Sequence, residues 1–416
     1  TLPDPSMFAV PDAPPVPIIG GGAIAQPEEA AQGSQLLHRL SSMPSEDLGA
    51  FIQAHPDSIN ELIAHQPRAT DVTSWWAHLS VEKRGALTRA SPVLVGNLDG
   101  IPYEDRNTAN RTQLRATMDE LKATIHSEAG RAVVDSARHQ LKMLQAISDA
   151  LGPADATPRR TLMSLDVTGQ GRAAIVIGDL NTADYVSYLV PGMFFTIENQ
   201  MGYWVDASAR LYDDQNAWLR LFGDDHSTVA TVAWIGYHTP NLTNVGGIDN
   251  ADEGRDALAS ELEGLQAIRA SDEPYTTVIA HSYGSTAALM ALTGYNFKID
   301  ALAMVGSPGS QAQSVDELNV RNGNVYVGEA AWDPVPNSSY FGSDPGAKSY
   351  GAKPMGVSGA LDSITGVTLL GSTGHNEYFA AGTESMRNFA LIGINKGQYV
   401  TNGTHSLDAR ASAIGQ

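Results

Sequence analysis

The stretch Thr276-Thr277-Val278-Ile279-Ala280-His281-Ser282-Tyr283-Gly284-Ser285 starts apolar and β-branched and ends in small-His-Ser-Tyr-Gly. A helical pattern of small residues follows, from Thr286 to Leu292. The reading is strand, sharp turn, helix. A serine at such a turn stands exposed on a strained backbone at the carboxyl end of a strand. The two backbones pass close there, so the turn needs small residues on both sides of the serine. Gly284 meets that need. Ala280 is small enough as well, although glycine is the usual residue at its position.

Working outward, residues 158–416 alternate strands with helices. Thr161 to Val167 and Ala173 to Ile177, joined by Gly169-Gln170-Gly171, predict a hairpin. Strands are expected at Tyr185 to Val190, Val229 to Tyr237, Ala301 to Val305 and Asn324 to Val327, with a last one at Val367 to Leu370. Helices are expected at Asn199 to Leu221, Asp252 to Arg269 and Glu384 to Ile394. Apolar strands separated by helices predict an α/β fold, a mainly parallel sheet with helices on both faces.

Residues 32–157 carry helical patterns only, and form a candidate cap over the active site. Ser45 and Asp57 sit where helix N-caps are expected, and Ser80 precedes Val81 to Arg89 as another. Trp75-Trp76 suits a core anchor between helices better than a substrate platform. Val93 to Pro102 is rich in Gly, Asn and Asp and predicts a turn-rich loop. Two long helical patterns follow, Ala109 to Ile125 and Ala132 to Leu151. Residues 1–31, rich in Pro, Gly and Ala, read as an extended arm.

Composition narrows the function. The chain has 416 residues, and 26 Lys+Arg against 46 Asp+Glu give a net charge of −20. That argues against nucleic acid and anionic membrane surfaces as partners. With no cysteine, disulfides, thiolate metal sites and a Cys nucleophile are excluded. No apolar run approaches the roughly 20 residues of a membrane span. Gly20-Gly21-Gly22 precedes no strand-helix unit, no phosphate-loop or H-E-x-x-H pattern occurs, and the acidic residues are dispersed. No cofactor or metal is therefore expected. Asn-x-Thr patterns at Asn241 and Asn402 occur by chance too often to carry a reading. The chain begins at Thr1 rather than Met, and a removed signal would leave no trace. Secreted or cell-surface placement is favoured over cytoplasmic.

A serine hydroxyl is a poor nucleophile near neutral pH and needs a base, with a carboxylate to orient it. The turn at Ser282 resembles the nucleophile elbow of the α/β-hydrolases, where the order along the chain is Ser, then Asp or Glu, then His. Asp333, just past Asn324 to Val327 and stiffened by Pro334, is the expected carboxylate; Glu329, Asp344 and Asp362 are its rivals. His375, in Gly371-Ser372-Thr373-Gly374-His375, is the expected base, and the only histidine between Asp333 and His405. His281 and His238 are expected in packing or rim roles. The oxyanion donors are expected to be the backbone amide of Tyr283 and, after Val190-Pro191-Gly192, that of Met193 or Gly192. Trp75, Trp76, Met193, Phe194 and Phe195 hint at an apolar acyl pocket.

Trp75-Trp76, Val95-Gly96-Asn97-Leu98-Asp99-Gly100-Ile101-Pro102 with Arg106 and Ala109-Asn110-Arg111, and the elbow itself are similar to a bacterial α/β-hydrolase family of unassigned function. In that family a helical N-terminal region precedes the hydrolase domain. The resemblance implies a serine-hydrolase triad, matching Ser282, Asp333 and His375 by position, and supplies no substrate. The expectation is a serine hydrolase that cleaves a small-molecule carboxylic ester through an acyl-enzyme. The same triad also serves peptidases, amidases and acyltransferases, and the fold also serves non-catalytic binding or scaffold proteins. The Asn97 to Pro102 motif is expected to be structural.

Overall fold

The computed structural model describes residues 23–24, 27–241, 246–336 and 338–403. The remainder of the arm and His405 lie outside the described residues.

The amino-terminal part is helical, as its periodicity predicts. Strand β1 (Ala23–Ile24) leads into α1 (Pro27–Ser42), α2 (Leu48–Ala54) and α3 (Pro56–Ala64). Strand β2 (His65–Gln66) pairs with β1, and α4 (Ala69–His78) and α5 (Val81–Ala90) follow. Helix α1 thus begins inside the stretch read as arm. The Ser80 hydroxyl does accept from the Lys83 amide at the start of α5. The other two caps fall elsewhere: α2 starts after Asp47 and α3 after His55, so Ser45 lies outside both and Asp57 is in the first turn of α3. Pro56 fixes that start, because its ring sets φ for the first helical position. The expected loop at 93–102 is partly helix, α6 (Pro92–Asn97). Pro92 at its first position and Ser91, which accepts from the Leu94 amide, nucleate it. Two long helices complete the region, α7 (Tyr103–Ile125) and α8 (Arg131–Leu151).

The strands and helices of the remainder are β3 (Arg160–Asp166), β4 (Arg172–Gly178), β5 (Tyr185–Val190), α9 (Ile197–Leu221), β6 (Val229–Ile235) and α10 (Asp249–Ile268). Then come β7 (Tyr275–His281), α11 (Tyr283–Gly294), β8 (Ala301–Val305), β9 (Val325–Gly328), β10 (Lys353–Pro354) and α12 (Glu384–Gly393). Eight strands form one sheet in the order β10-β9-β8-β7-β5-β6-β4-β3. Strand β4 runs antiparallel to both its neighbours, and all other pairs are parallel. This is the α/β-hydrolase arrangement, a mostly parallel sheet with helices on both faces.

Side-chain alternation divides the core. Leu189, Ile279 and Ala303 pack on one face with residues of α8, α9 and α12; Tyr188, Val190, Val278 and Leu302 pack on the other with α10 and α11. The helix after β5 and the helix after β7 therefore lie on opposite faces. That reversal opens a crevice beyond the carboxyl ends of β5 and β7, where doubly wound sheets place their ligands.

One expected strand fails. Residues 367–370 make only single bridges, Leu361 with Thr368 and Leu370 with Thr383. Val367 and Leu370 are 56% and 60% exposed and only Leu369 is buried, so the run has too little buried surface to hold it in a sheet. The last strand is instead β10, which pairs with β9 and carries no apolar signal. Its Pro354 is tolerated because an edge strand need not donate on both sides.

The opposite edge explains the Asn97 motif. A free edge strand exposes unpaired backbone groups. On β3 these are met by side-chain amides from the helices packed over it. Asn97 accepts from the Leu165 amide and donates to the Leu165 carbonyl, both at 2.9 Å. Asn107 accepts from the Leu162 amide at 2.9 Å, and Asn110 donates to the Leu162 carbonyl at 3.1 Å. Arg111 and Gln140 donate to the Arg160 and Val167 carbonyls. A Cβ on Gly96 would fall 1.8 Å from Asn110 Oδ1, so only glycine lets α6 and α7 approach. Asn97→Ala would leave two buried backbone groups of Leu165 unpaired, and is expected to cost about 3 kcal/mol of stability in a denaturant titration. A loss under about 1 kcal/mol would contradict the clamp.

Beneath that clamp, buried Arg106 donates to Asp99 at 2.7 Å and lies 3.7 Å from Glu261. Burial pushes the Glu261 carboxyl up to about 8, with Arg106 opposing it and the Asp99 charge adding to it. Between about 4.5 and 8 the folded chain thus holds a proton that the unfolded chain has released. The stability this group contributes is full below that window and is lost as pH rises through it. Melting temperatures at pH 5 and pH 8 should show a smaller decline in Glu261→Gln than in the parent. Equal declines would contradict the raised value.

Candidate active site

Strand β7 ends at His281, and Ser282 follows with φ 53° and ψ −131°. A side-chain-bearing residue at positive φ is strained and persists only where its surroundings fix it. The Ser282 amide donates to the Val305 carbonyl at 2.9 Å, and the Ser282 carbonyl accepts from the amide and the hydroxyl of Ser285. The crowding that the sequence implies is real. A Cβ on Gly284 would lie 2.2 Å from the Pro191 carbonyl oxygen, and one on Gly192 would lie 2.5 Å from the Ser282 Cβ.

His375 and Asp333, 93 and 42 residues apart from their partners in sequence, converge on this serine. Ser282 Oγ is 2.7 Å from His375 Nε2. His375 Nδ1 is 2.9 Å from both Asp333 oxygens. With Nδ1–H donating to the carboxylate, Nε2 is left as acceptor for the serine hydroxyl. The Asp333 side chain is fully buried while that of His375 is 17% exposed. Burial pushes the Asp333 carboxyl up, but hydrogen bonds from His375, Tyr378 and the Val335 amide outweigh it and hold the group below its ordinary value. Of the rival carboxylates, Asp362 is paired with Arg387 at 2.8 Å and Asp344 accepts from the Gly346 amide.

Three supporting groups escaped the sequence reading. The Tyr378 hydroxyl donates to Asp333 Oδ2 at 2.6 Å and accepts from the Ala330 amide at 2.9 Å, which ties the carboxylate to its own loop. Gly306 lies directly after β8 at φ 60°, where a Cβ would fall 2.8 Å from Asp333 Oδ2 and 2.9 Å from His375 Cε1. The signal was present in Val305-Gly306-Ser307-Pro308-Gly309, a strand end followed by glycine. The third is Phe379, which packs edge-on against Trp204 and His281.

His281 has the packing role expected of it. Its Nε2–H donates to the His375 carbonyl at 2.6 Å, and so anchors the loop that carries the base. Burial, with the His375 charge adding to it, pushes the His281 imidazolium down to about 3, so the ring is neutral near pH 7. His238 pairs with Glu253 at 2.9 Å and lines neither cavity beside Ser282.

Of the expected oxyanion donors, Tyr283 is the first residue of α11, where an amide has no intrahelical partner. Met193 lines the cavities on both sides of Ser282. Its loop is held from behind: the Tyr237 hydroxyl donates to the Pro191 carbonyl at 2.7 Å, and the Phe194 amide donates to the Pro240 carbonyl at 3.0 Å. Phe194 is a second strained residue, with φ 63°. Trp75 and Trp76 take no part in the site. Their indoles donate to the Leu37 carbonyl and to Asp105 within the helical core, whereas Met193, Phe194 and Phe195 do line a cavity beside the serine. Nothing from residues 32–157 lines either cavity beside Ser282. Among the described residues no helix is long and apolar enough to cross a membrane.

Residues 166–343 match a family model described as alpha/beta hydrolase. An uncharacterised protein of Mycobacterium tuberculosis is 29% identical over 308 residues, which cover 64% of this chain and 44% of that protein. An uncharacterised protein of Mycobacterium bovis is 26% identical over 220 residues, covering 50% of this chain and 79% of that one. The chain thus spans less than half the length of the first of these relatives. Among solved structures, a hyperthermophilic esterase from the archaeon Pyrobaculum calidifontis superposes with a TM-score of 0.37 at 12% identity, covering 69% of this chain and 98% of that one. A ferulic acid esterase from the anaerobic fungus Anaeromyces mucronatus gives 0.33 at 12% identity, covering 55% and 85%. Residues 166–343 are thus similar to the alpha/beta hydrolases, and the order of the sheet is that of the α/β-hydrolase fold.

Proposed function

We propose that the chain is a serine hydrolase that cleaves a small carboxylic ester through an acyl-enzyme on Ser282. The observation that carries this reading is the 2.7 Å approach of Ser282 Oγ to His375 Nε2, with Nδ1 of the same ring on Asp333. His375 takes the hydroxyl proton as Oγ attacks the carbonyl carbon. Asp333 keeps the ring oriented and stabilises the imidazolium that forms. The amides of Tyr283 and Met193 receive the negative charge on the carbonyl oxygen. His375 then gives its proton to the leaving alkoxide as the ester C–O bond breaks. A water, deprotonated by the same nitrogen, attacks the acyl carbon; the acyl–Oγ bond breaks, His375 returns the proton to Ser282 Oγ, and the carboxylic acid leaves.

Residues 158–416 form the catalytic unit in this reading, and residues 32–157 brace its β3 edge. Ester, amide and thioester substrates sharing one acyl group test the leaving-group class. The ester is expected to turn over fastest by kcat/KM. A preference for the amide would reassign the site to peptide-bond chemistry, and product transfer to an added alcohol in place of water would make it an acyltransferase.

A further inference from the structure

Two cavities meet at Met193, one on each side of the serine. The first, about 290 Å³, is walled by Ser282, Tyr283, Pro308, Pro334, Val335 and Phe341. The second, about 450 Å³, is walled by Phe195, Gln200, Tyr203, His375 and Phe379. Neither is lined by Asp, Glu, Lys or Arg. In a chain of net charge −20 that is a local exclusion of charge, and a carboxylate or phosphate on the substrate would find no cation there.

Resting on the serine-hydrolase reading, we propose that Met193 divides the site into an acyl pocket on the Ser282 side and an alcohol pocket on the His375 side, for an uncharged ester apolar at both ends.

The direction follows from the chemistry. In the acyl-enzyme the acyl carbon is bonded to Ser282 Oγ, so the acyl chain must start where Oγ opens. Ser282 and Tyr283 line only the first cavity. The leaving oxygen must sit within reach of His375 Nε2, which returns the proton to it. His375 lines only the second. The first cavity is the smaller, and its mixed walls, Pro308, Pro334 and Val335 with the rings of Tyr283, Tyr340 and Phe341, suit an unbranched chain of middle length. The second has aromatic walls, with Phe195 edge-on to Trp204 at 4.8 Å and 6.4 Å from the Tyr203 ring, and suits a ring-bearing alcohol. Filling the acyl pocket is worth roughly a fourfold gain in kcat/KM per added methylene until the space is full.

The test uses p-nitrophenyl acetate, butyrate, octanoate and palmitate, then methyl and naphthyl octanoate, with the full chain. The parent should prefer octanoate to acetate and palmitate, and naphthyl to methyl. Val335→Trp should cut the octanoate-to-acetate ratio at least tenfold and leave the naphthyl-to-methyl ratio in place. Ser338→Trp, on an exposed position of the same cavity, should do likewise and covers the case in which Val335→Trp fails to fold. Gln200→Trp should cut the naphthyl-to-methyl ratio at least tenfold and leave the chain-length ratio in place. Hydrolysis of a preformed octanoyl-enzyme, which contains no alcohol, should not move in that variant. Exchanged effects, or ratios that shift in neither variant, overturn the partition while leaving the serine chemistry standing. Absence of all ester turnover, together with no adduct on Ser282, overturns both.

Discussion

Ser282→Ala is expected to lower ester turnover by roughly a millionfold, about 8 kcal/mol in the barrier. The size follows from how the three groups act. The base has nothing to deprotonate without the hydroxyl, and the carboxylate has nothing to orient without the base, so losing one member removes nearly the whole contribution. His375→Ala is expected to cost about as much, and the double variant little more than either. Stability should barely change. The serine hydroxyl bonds only His375 among the described residues, and the ring left behind keeps its Asp333 bonds. Alanine also takes the same positive φ at no added strain. The check is kcat/KM on a p-nitrophenyl ester together with a thermal melt. Retention of even one hundredth of the parent rate would remove Ser282 from the nucleophile role.

Gly306→Ala is expected to have the second largest effect, and to act on the geometry rather than the chemistry. The new methyl would fall 2.8 Å from Asp333 Oδ2 and 2.9 Å from His375 Cε1, and neither neighbour has room to yield. Both are pinned, Asp333 by Tyr378 and the Val335 amide, His375 through its carbonyl by His281. A displacement near 1 Å in a reacting group costs about a hundredfold in rate. The expectation is a kcat/KM loss of about a hundredfold or more, with about 1–2 kcal/mol of stability lost to the strained backbone. Gly323→Ala is the control. It has φ 58° and nothing within 4 Å of a new Cβ, so it should lose comparable stability and no activity. Equal activity in the two variants would contradict a packing role for Gly306.

Much of this was legible in the sequence, for identifiable reasons. The central strands are fully buried, so they read as continuous apolar runs, and Tyr185–Val190 and Ala301–Val305 came out residue for residue. Ser282 was visible because the turn that exposes it constrains its neighbours on the chain. Asp333 was visible through its place after a strand end and His375 as the only histidine between Asp333 and His405, and the structure brings both to the serine. The failures have separate causes. Strand β10 lies at an exposed edge and the run at 367–370 lies outside the sheet, and at both hydropathy misleads. The caps of α2 and α3 were set by Pro56 and chain entry rather than by the nearest Ser or Asp. Tyr378 and Gly306 act on groups far away in sequence, and the residue alone does not announce its partner. The Asn97 motif looked like a loop because its amides pair with a strand 68 residues on.

The most direct measurement is fluorophosphonate labelling of the parent and of Ser282→Ala, followed by intact mass and peptide mapping. One adduct per chain, on the peptide bearing Ser282 and absent from the variant, is the expected result. Labelling at another serine, or equal labelling of parent and variant, would contradict the assignment of Ser282 as the activated nucleophile.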